Sequence, residues 1–400
     1  MLGSMIEAFS KLALSKGAQD DDGIDQMHHL ASVGIFLAFA AFSGAKNYVG
    51  DPIHCWNPAQ FTKSHTKYAE NYCFISHMYN VPMDEPIQVE INKRFERDIS
   101  FYRWVPVLFL FQALLFKIPN LVWKEMKTYS GINVTKIVSM AEETLMSPPK
   151  ERKVKIKHIA IFIKSWLMAY REYKYNVLIR VKQKLSGVIC FMLGRRQGTY
   201  LTGLYLFCKL LYFANVVGQF FMLTKFLEID YSTYGFQILE VLTEQGSWED
   251  LNEFPRIAMC DFEIRQLQNI QRYTLQCVLS INLFVEKMYA ITWFWLFILS
   301  IVTFVNMIFW IFNIFFRKRR EHFIQKHIEL LDADDTSSEK KLFLAFVRQY
   351  LRDDGVFLIR AVRKNVGDLL ALDLVRQLWE DYQKHKSPEK LDDEKMKLNS

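Results

Sequence analysis

The sequence of 400 residues lacks the short motifs by which most enzymes hold a phosphate, a metal ion or a nucleophile. It contains no glycine-rich phosphate loop, no HExxH zinc motif, no paired CxxC and no nucleophile elbow. A recognised nucleic-acid-binding motif is also missing, although the formal net charge is +7. These absences argue against an enzyme, a cofactor, a metal site and a nucleic-acid partner.

Cysteine is scarce, with six residues in the chain, and four of them fall into two polar segments. Cys55 and Cys73 follow the first long apolar run, and Cys260 and Cys277 precede the last one. Two cysteines in each of two loops on one side of a membrane are typical of a disulfide framework that faces an oxidising space. The residues alone leave open which cysteine pairs with which.

The apolar residues, in contrast, are concentrated in long runs that are typical of membrane spans. A helix of about 20 apolar residues crosses the hydrocarbon core of a bilayer. No cleaved signal peptide is predicted, because Asp20, Asp21, Asp22 and Asp25 precede the first run. The predicted spans cover residues 30–50, 105–123, 200–227 and 288–316.

The distribution of lysine and arginine predicts the orientation of these spans. Residues 124–199 hold 16 basic side chains against 5 acidic ones, whereas residues 51–104 hold 6 against 7 and residues 228–287 hold 4 against 10. Cytoplasmic loops carry the excess of basic residues. The central loop, residues 1–29 and residues 317–400 are therefore expected in the cytoplasm, and the two cysteine-bearing loops outside the cell.

Together these patterns predict an all-α membrane protein with four transmembrane helices per subunit, two disulfide-bridged extracellular loops and a helical cytoplasmic domain. The cytoplasmic domain is expected to form from the central loop and the C-terminal region. Residues 156–179 mix apolar and basic side chains at helical spacing, which predicts contacts with other helices and with lipid headgroups. Residues 342–379 repeat the pattern, with a helix break predicted at Asp353-Asp354-Gly355.

Two segments are each compatible with two interpretations. Met5, Phe9 and Leu12 share a helical face, which predicts either an amphipathic helix on the inner leaflet or a funnel at a pore entrance. The first span carries one stripe of small side chains, which allows close helix packing and equally leaves room for a wide conduit. The members of this stripe are Ala31, Gly34, Ala38, Ala41 and Ala45.

Polar side chains inside the spans also have two interpretations. Lys46, near the outer end of the first span, either snorkels to the interface or faces a lumen, where it would influence which ions enter. Gln112 and Lys117 in the second span, and Lys209 and Gln219 in the third, indicate a hydrated or internally hydrogen-bonded bundle. Lysines near a helix end could instead only snorkel.

The stretch Phe101-Tyr102-Arg103-Trp104-Val105-Pro106 resembles the Tyr-Tyr-x-Trp-Val signature of innexins, the invertebrate gap-junction proteins. Residues 51–56, 254–262, 286–295 and 354–358 are also similar to that family, in the same order along the chain. Phe101 departs from the signature by losing a hydroxyl group while it keeps the ring. The family signature is thus carried here by Tyr102, Trp104, Val105 and Pro106.

This resemblance implies a subunit of a large-pore channel. Eight subunits would form a ring, from one type of chain or mixed with other innexins, and the ring would dock to an apposed hemichannel through the outer loops. Ions and small metabolites would pass between adjacent cells by passive diffusion. The expected location is the plasma membrane at a gap junction, with both termini cytoplasmic and membrane lipids around the spans.

The resemblance also implies roles for particular residues. The N-terminal segment and the first span would line the path. The pore-lining candidates are Met1, Met5, Phe9, Ala38, Ala41, Ala45 and Lys46. Similarity to the family further favours bridges between the two outer loops, which would join Cys55 to Cys277 and Cys73 to Cys260.

Two other classes share four spans. A large-pore channel of the pannexin type would not dock, and the absence of glycosylation sequons from both cysteine-bearing loops argues against it, because glycans there would obstruct apposition. A four-span adhesion or scaffold protein would need no conduit. The cysteine-rich signatures expected of claudins and tetraspanins are missing from the sequence.

Overall fold

The computed structural model describes residues 21–81, 85–87, 89–90, 94, 99, 101–169, 198–244, 253–329 and 337–398. Most of the described chain is helical. The helices are α1 (Gly23–Tyr48), α2 (Lys63–Ile75), α3 (Val105–Thr128), α4 (Val134–Leu145), α5 (Pro149–Ala169), α6 (Tyr200–Leu227), α7 (Tyr231–Glu244), α8 (Ser280–Phe315), α9 (Arg317–Glu329), α10 (Ser337–Ala345), α11 (Arg352–Val366) and α12 (Asp368–Leu398). The strands are β1 (His54–Trp56), β2 (Met78–Tyr79), β3 (Ile257–Gln266) and β4 (Asn269–Val278).

Four of these helices, α1, α3, α6 and α8, are long and apolar enough to cross a membrane. The prediction of four spans is therefore confirmed. α1 begins at Gly23 and α8 at Ser280, earlier than the apolar runs begin. Glu286 and Lys287 lie inside α8 and precede its apolar run, because backbone hydrogen bonding in a helix continues through charged residues whose side chains find partners. Glu286 has such a partner in Arg256, at 3.4 Å.

The described chain divides into two compact units. The first, called here the helical unit, comprises residues 21–27, 118–169, 198–213, 303–329 and 337–398. Its core forms between the apolar faces of α4, α5, α11 and α12, with Val138, Ala160, Leu358 and Val375 buried together. The helical character predicted for residues 156–179 is present up to Ala169, and the rest of that stretch lies outside the described residues.

The predicted helix break at Asp353-Asp354-Gly355 is wrong by a few residues. These residues lie in the first turns of α11, and the irregularity precedes them, where a π-helical turn at Phe346–Leu351 ends at Arg352 with φ of 55°. Asp354 is buried because it caps α6: its carboxylate Oδ1 accepts hydrogen bonds from the backbone nitrogen and the hydroxyl of Thr202, each at 3.0 Å. Asp354, which suggested a turn in the sequence, instead accepts hydrogen bonds from donors in the first turn of α6.

Asp354→Ala is expected to lower the unfolding free energy by about 1–3 kcal/mol, because it leaves the buried backbone N–H and hydroxyl of Thr202 without this acceptor. Asp354→Asn keeps one acceptor oxygen and is the matched control, with a smaller loss. The measurement is the temperature at which the purified protein loses its native size-exclusion peak. Equal melting temperatures for the alanine variant and the unmodified protein would contradict the capping role.

The second unit, called here the sheet unit, comprises the described residues within 28–117 and 214–302. It contains a four-stranded antiparallel sheet in the order β1-β4-β3-β2, although the sequence analysis assigned no strands. β3 and β4 form a hairpin with Gln266 paired to Asn269, so that Leu267 and Gln268 make the turn. Aromatic rings fill the interior of this unit, including Phe109 stacked on Tyr289 with ring centroids 5.3 Å apart.

Candidate functional site

Two disulfides close the sheet unit. Cys55 of β1 lies opposite Cys277 of β4 in the sheet and is bonded to it, and Cys73 of α2 is bonded to Cys260 of β3. This is the pairing that the family resemblance implies. The bridges join positions 222 and 187 residues apart, so each one ties the first cysteine-bearing loop to the second. The sulfur atoms are consumed in these bonds and are not available as thiolate ligands for a metal ion.

Polar contacts also stabilise the sheet unit. The carboxylate of Asp261 on β3 accepts a hydrogen bond from Arg94 at 2.8 Å and another from Thr274 on β4 at 2.6 Å. Tyr79 on β2 is buried, and this burial, with the nearby Asp261, raises the pKa of its phenol to about 12. Thr62 caps α2 by accepting a hydrogen bond from the backbone nitrogen of His65 at 3.4 Å. The two loops therefore form one rigid, covalently closed surface.

The exposed end of this surface is the turn of the β3–β4 hairpin. Leu267 at the turn is 98% exposed and has φ of 54°, a conformation that costs a leucine energy and favours glycine. Ile270 just after the turn is also exposed. The described part of the subunit therefore leaves both apolar side chains beside the turn uncovered.

The signature residue Tyr102 joins three segments of the sheet unit. Its side chain is fully buried, and its hydroxyl donates a hydrogen bond to the carbonyl oxygen of Phe74 at 3.1 Å. Its own carbonyl oxygen accepts a hydrogen bond from Asn47 at the end of α1, also at 3.1 Å. Val105 and Pro106 are buried beside it, whereas Trp104 is exposed. Phe101 packs its ring edge-on against Phe254, so the missing hydroxyl leaves this contact intact.

The first span has two distinct faces. One face is buried within the sheet unit and includes Phe36, Ala40, Ser43 and Asn47. The opposite face carries the stripe of small side chains, and all of its members are exposed: Ala31, Gly34, Ala38, Ala41 and Ala45. The stripe is therefore not used for helix packing inside the subunit. Lys46, next to it, is also exposed and lies 5.6 Å from the ring of Phe284.

Several polar side chains inside the spans form hydrogen bonds or salt bridges with one another. Gln112 of α3 donates a hydrogen bond to Gln219 of α6 at 3.1 Å, and both side chains are buried. Lys117 is buried as well, with 2% of its surface exposed. Lys209 is 1% exposed and forms salt bridges rather than snorkelling. Of the interpretations offered by the sequence, internal hydrogen bonding is the one that the structure favours for this group.

A buried charged cluster at the start of α1 was missed by the sequence analysis, and we call it the Asp22 cluster. Lys209 of α6 contacts Asp22 at 3.2 Å and Asp25 at 2.7 Å, both through its ammonium nitrogen. Asp22 also accepts hydrogen bonds from Asn306 and Trp310 of α8, at 3.2 and 3.3 Å, and pairs with Lys364. The cluster thus joins the start of α1 to α6, α8 and α11.

Charge compensation explains why these carboxylates tolerate burial. Burial alone would raise the pKa of Asp22, but Lys209 and Lys364 hold it well below its ordinary value, so this carboxylate stays ionised. Asp21 accepts a hydrogen bond from Asn120 of α3 at 3.1 Å. Asp21, Asp22 and Asp25, which served above only to exclude a signal peptide, therefore hold the start of α1 against α3, α6, α8 and α11.

Three of the pore-lining candidates, Met1, Met5 and Phe9, lie outside the described residues. The other candidates, Ala38, Ala41, Ala45 and Lys46, share the exposed face of α1. The structure thus brings the small side chains and the lysine together on a surface that the subunit leaves uncovered.

Four apolar spans and two loops bonded into one domain define a four-span membrane protein with a covalently closed loop domain. The family model described as Innexin matches residues 21–382, and the chain belongs to the innexin family. Innexins form oligomeric gap-junction channels, so the chain is a gap-junction channel subunit and a membrane protein of gap junctions.

Curated innexins are similar in sequence to most of this chain. Innexin unc-9 of Caenorhabditis elegans is 36% identical over 363 residues, which cover 91% of this chain and 92% of the relative. Innexin-11 of the same organism is 34% identical over 388 residues, covering 94% and 82%. Innexin eat-5, also from Caenorhabditis elegans, is 31% identical over 395 residues, covering 96% and 90%.

Proposed function

We propose that eight copies of this subunit, alone or mixed with other innexins, form a ring in which the small-residue face of α1 lines the conduit. The observation that carries this proposal is the uncovered stripe from Ala31 to Ala45, opposite a buried face that includes Phe36. A long apolar helix with one face of small side chains has room for a wide aqueous path. By resemblance to the family, the N-terminal segment with Met1, Met5 and Phe9 extends this lining.

The proposed orientation places the disulfide-bonded loops outside the cell, and residues 124–199 and 317–400 in the cytoplasm together with both termini. The excess of lysine and arginine in residues 124–199 supports this arrangement, as does the oxidising environment that both bridges require. In this proposal the protein carries out no chemistry. Ions and small metabolites diffuse down their gradients through the pore.

We propose that the sheet unit docks to a hemichannel of the adjacent cell through the turn of the β3–β4 hairpin. Leu267 and Ile270 support this, because two exposed apolar side chains beside one turn offer surface that a partner can bury. The two bridges hold the hairpin to the first loop. A docking surface there would be preorganised and would lose little conformational entropy on binding.

Leu267→Asp is expected to abolish current between paired cells while leaving the hemichannel current of single cells unchanged, because the charge would lie in an apolar docking contact. Leu267→Gly is the companion variant. Glycine suits φ of 54°, so the turn is preserved and only the side chain is lost. Normal junctional current in both variants would exclude Leu267 from docking.

Recordings of the unmodified protein separate the remaining classes. Junctional current supports the docked channel. Current in single cells without junctional current would favour a channel of the pannexin type. No current in either arrangement, across a range of voltage and calcium concentration, would favour an adhesion or scaffold protein.

Lys46→Glu is expected to shift permeation towards cations, with a severalfold rise in the sodium-to-chloride permeability ratio, because the exposed charge would face the lumen. Lys225→Glu is the matched control. Lys225 is exposed and lies in the last turn of α6, as Lys46 lies in the last turn of α1. The measurement is the reversal potential of hemichannel currents in asymmetric salt. Equal shifts in the two variants, or none in either, would place Lys46 outside the conduit.

A further inference from the structure

The helical unit contains a cavity of about 690 Å³ beside the end of the last span. The final turns of α8 form one wall with Phe309, Trp310 and Asn313. Helices α9 and α11 form most of the rest, with Gly367 and Asp368 just after α11. Most of the side chains that the two helices contribute are basic: Arg319, His322, Lys326, Arg360, Arg363 and Lys364. The cavity therefore combines an apolar wall from a membrane span with a cationic floor.

Within the part of the chain that the structure describes, acidic side chains balance only some of the charge in this cavity. Asp368 is the carboxylate in its lining, and it pairs with Arg363, while Lys364 pairs with Asp22 of the Asp22 cluster. Among the described residues, Arg319, Lys326 and Arg360 take part in no salt bridge. A second cavity in the helical unit, of about 350 Å³, has a smaller excess, because Arg320 pairs there with Asp353 and Arg348 with Glu321, which leaves Arg317 and Arg352 as the other charged side chains of its lining. The larger excess of positive charge thus belongs to the first cavity.

Two guanidinium groups in the cavity are held in position by one ring. The guanidinium carbons of Arg360 and Arg363 lie 4.9 and 5.4 Å from the centre of the Phe323 ring. Such stacking leaves the N–H groups along the guanidinium edges able to donate in the geometry that phosphate oxygens accept. Arg360 also donates a long hydrogen bond, at 3.4 Å, to the carbonyl oxygen of Asn313 near the end of α8.

The position of Arg360 has an electrostatic cost. Its burial, together with the neighbouring Arg320 and Arg363, lowers the pKa of Arg360 to about 10. A multiply charged anion in the cavity would offset both the desolvation and the repulsion among the arginines.

The end of α8 is suited to the level of lipid headgroups. Phe309, Phe312, Phe315 and Phe316 are exposed there, and four basic residues at 317–320 follow directly, so the apolar span ends beside the cavity. Basic cavities at this level on the cytoplasmic side bind the headgroups of anionic lipids.

We propose that this cavity binds the headgroup of a membrane lipid that carries several phosphates, as a phosphoinositide does. Arg319, Lys326, Arg360 and Arg363 would hold the phosphates, and Phe309 would contact the glycerol and the start of the acyl chains. The assignment to the inner leaflet rests on the orientation proposed above. Binding itself does not depend on that orientation.

The test uses the purified full-length protein in detergent micelles, with a fluorescent short-chain phosphatidylinositol bisphosphate as the probe and fluorescence anisotropy as the measurement. Because detergent removes the two sides of the membrane, a wrong orientation would leave this result unchanged. Saturable binding is expected. Lys326→Gln combined with Arg363→Gln should weaken it about 100-fold, since each charge-assisted hydrogen bond contributes about tenfold.

Lys318→Gln is the matched control, because Lys318 is exposed on the same helix α9 but does not line the cavity. The Lys318→Gln variant should bind the lipid probe as tightly as the unmodified protein does. Lys326 and Arg363 are exposed, so their replacement should preserve the fold, and Arg319→Gln, also exposed, is a second independent variant. Unchanged affinity in these variants, or an equal loss in Lys318→Gln, would overturn the proposal. Binding of soluble inositol trisphosphate as tight as that of the lipid would overturn the lipid assignment, because the apolar wall would then contribute nothing.

Discussion

Cys260→Ser is expected to abolish junctional coupling and to reduce the amount of protein at the cell surface. The Cys73–Cys260 bridge joins α2 to β3 across 187 residues, and both cysteines are fully buried. A native disulfide typically contributes about 2–5 kcal/mol, which is a large part of the stability of a folded domain. Surface biotinylation and paired-cell recording measure the two effects.

Two further variants sharpen this test. Cys73→Ser combined with Cys260→Ser should be no worse than Cys260→Ser alone, because both changes remove the same bridge. Cys208→Ala is the control, since Cys208 is a buried free cysteine of α6 and its replacement breaks no disulfide. Normal coupling in the Cys260 variant would show that the bridge is dispensable for docking. An additive loss in the double variant would show that the cysteines act separately.

The four spans could be predicted from the sequence because each depends on local composition. A continuous apolar run of sufficient length is a sufficient signal for a membrane helix, whatever the rest of the chain does. The pairing of the cysteines could not be predicted from local composition. Four cysteines allow three pairings, and only resemblance to a known family favoured the one in which Cys55 meets Cys277.

The sheet was not predicted, although part of it has a local pattern. In β3, Ala258, Cys260 and Phe262 alternate with less buried residues, which is the period of a strand. The turn that follows this strand, Leu267-Gln268, lacks the glycine or asparagine that is typical of a two-residue hairpin. The hairpin was therefore not predicted. The turn nevertheless forms, with Leu267 at a positive φ of 54°.

The Asp22 cluster could not be predicted, because its partners are far apart in sequence. Asp22 was interpreted as an acidic residue before the first span and Lys209 as a polar residue inside the third, and nothing local indicates that they meet. For the same reason Asp354 suggested a break instead of a cap for Thr202. In both cases an acidic residue was interpreted by its neighbours in the chain, whereas its position depends on a donor more than 150 residues away.

Lys209→Met is expected to be the most destabilising single change within the spans. Lys209 contacts both Asp22 and Asp25, and all three side chains are buried. Removing one partner of a buried ion pair leaves an uncompensated charge, which typically costs about 3–5 kcal/mol. Lys225→Met is the matched control, because Lys225 is an exposed lysine of the same helix and its loss should change stability by less than about 0.5 kcal/mol. The melting temperature of the purified protein measures both.

A double-variant cycle then separates charge from packing. Asp22 keeps contacts with Asn306, Trp310 and Lys364 after Lys209 is lost, whereas Asp25 keeps a hydrogen bond from Tyr205 at 3.4 Å. Most of the penalty should therefore arise at Asp25, and Lys209→Met combined with Asp25→Asn should recover much of the lost stability. If the double variant is as unstable as the sum of its parts, the loss comes from packing of the lysine stem and not from a stranded carboxylate. Recovery together with altered hemichannel gating would indicate that the same charges also hold the base of the first span, because the cluster lies where α1 begins.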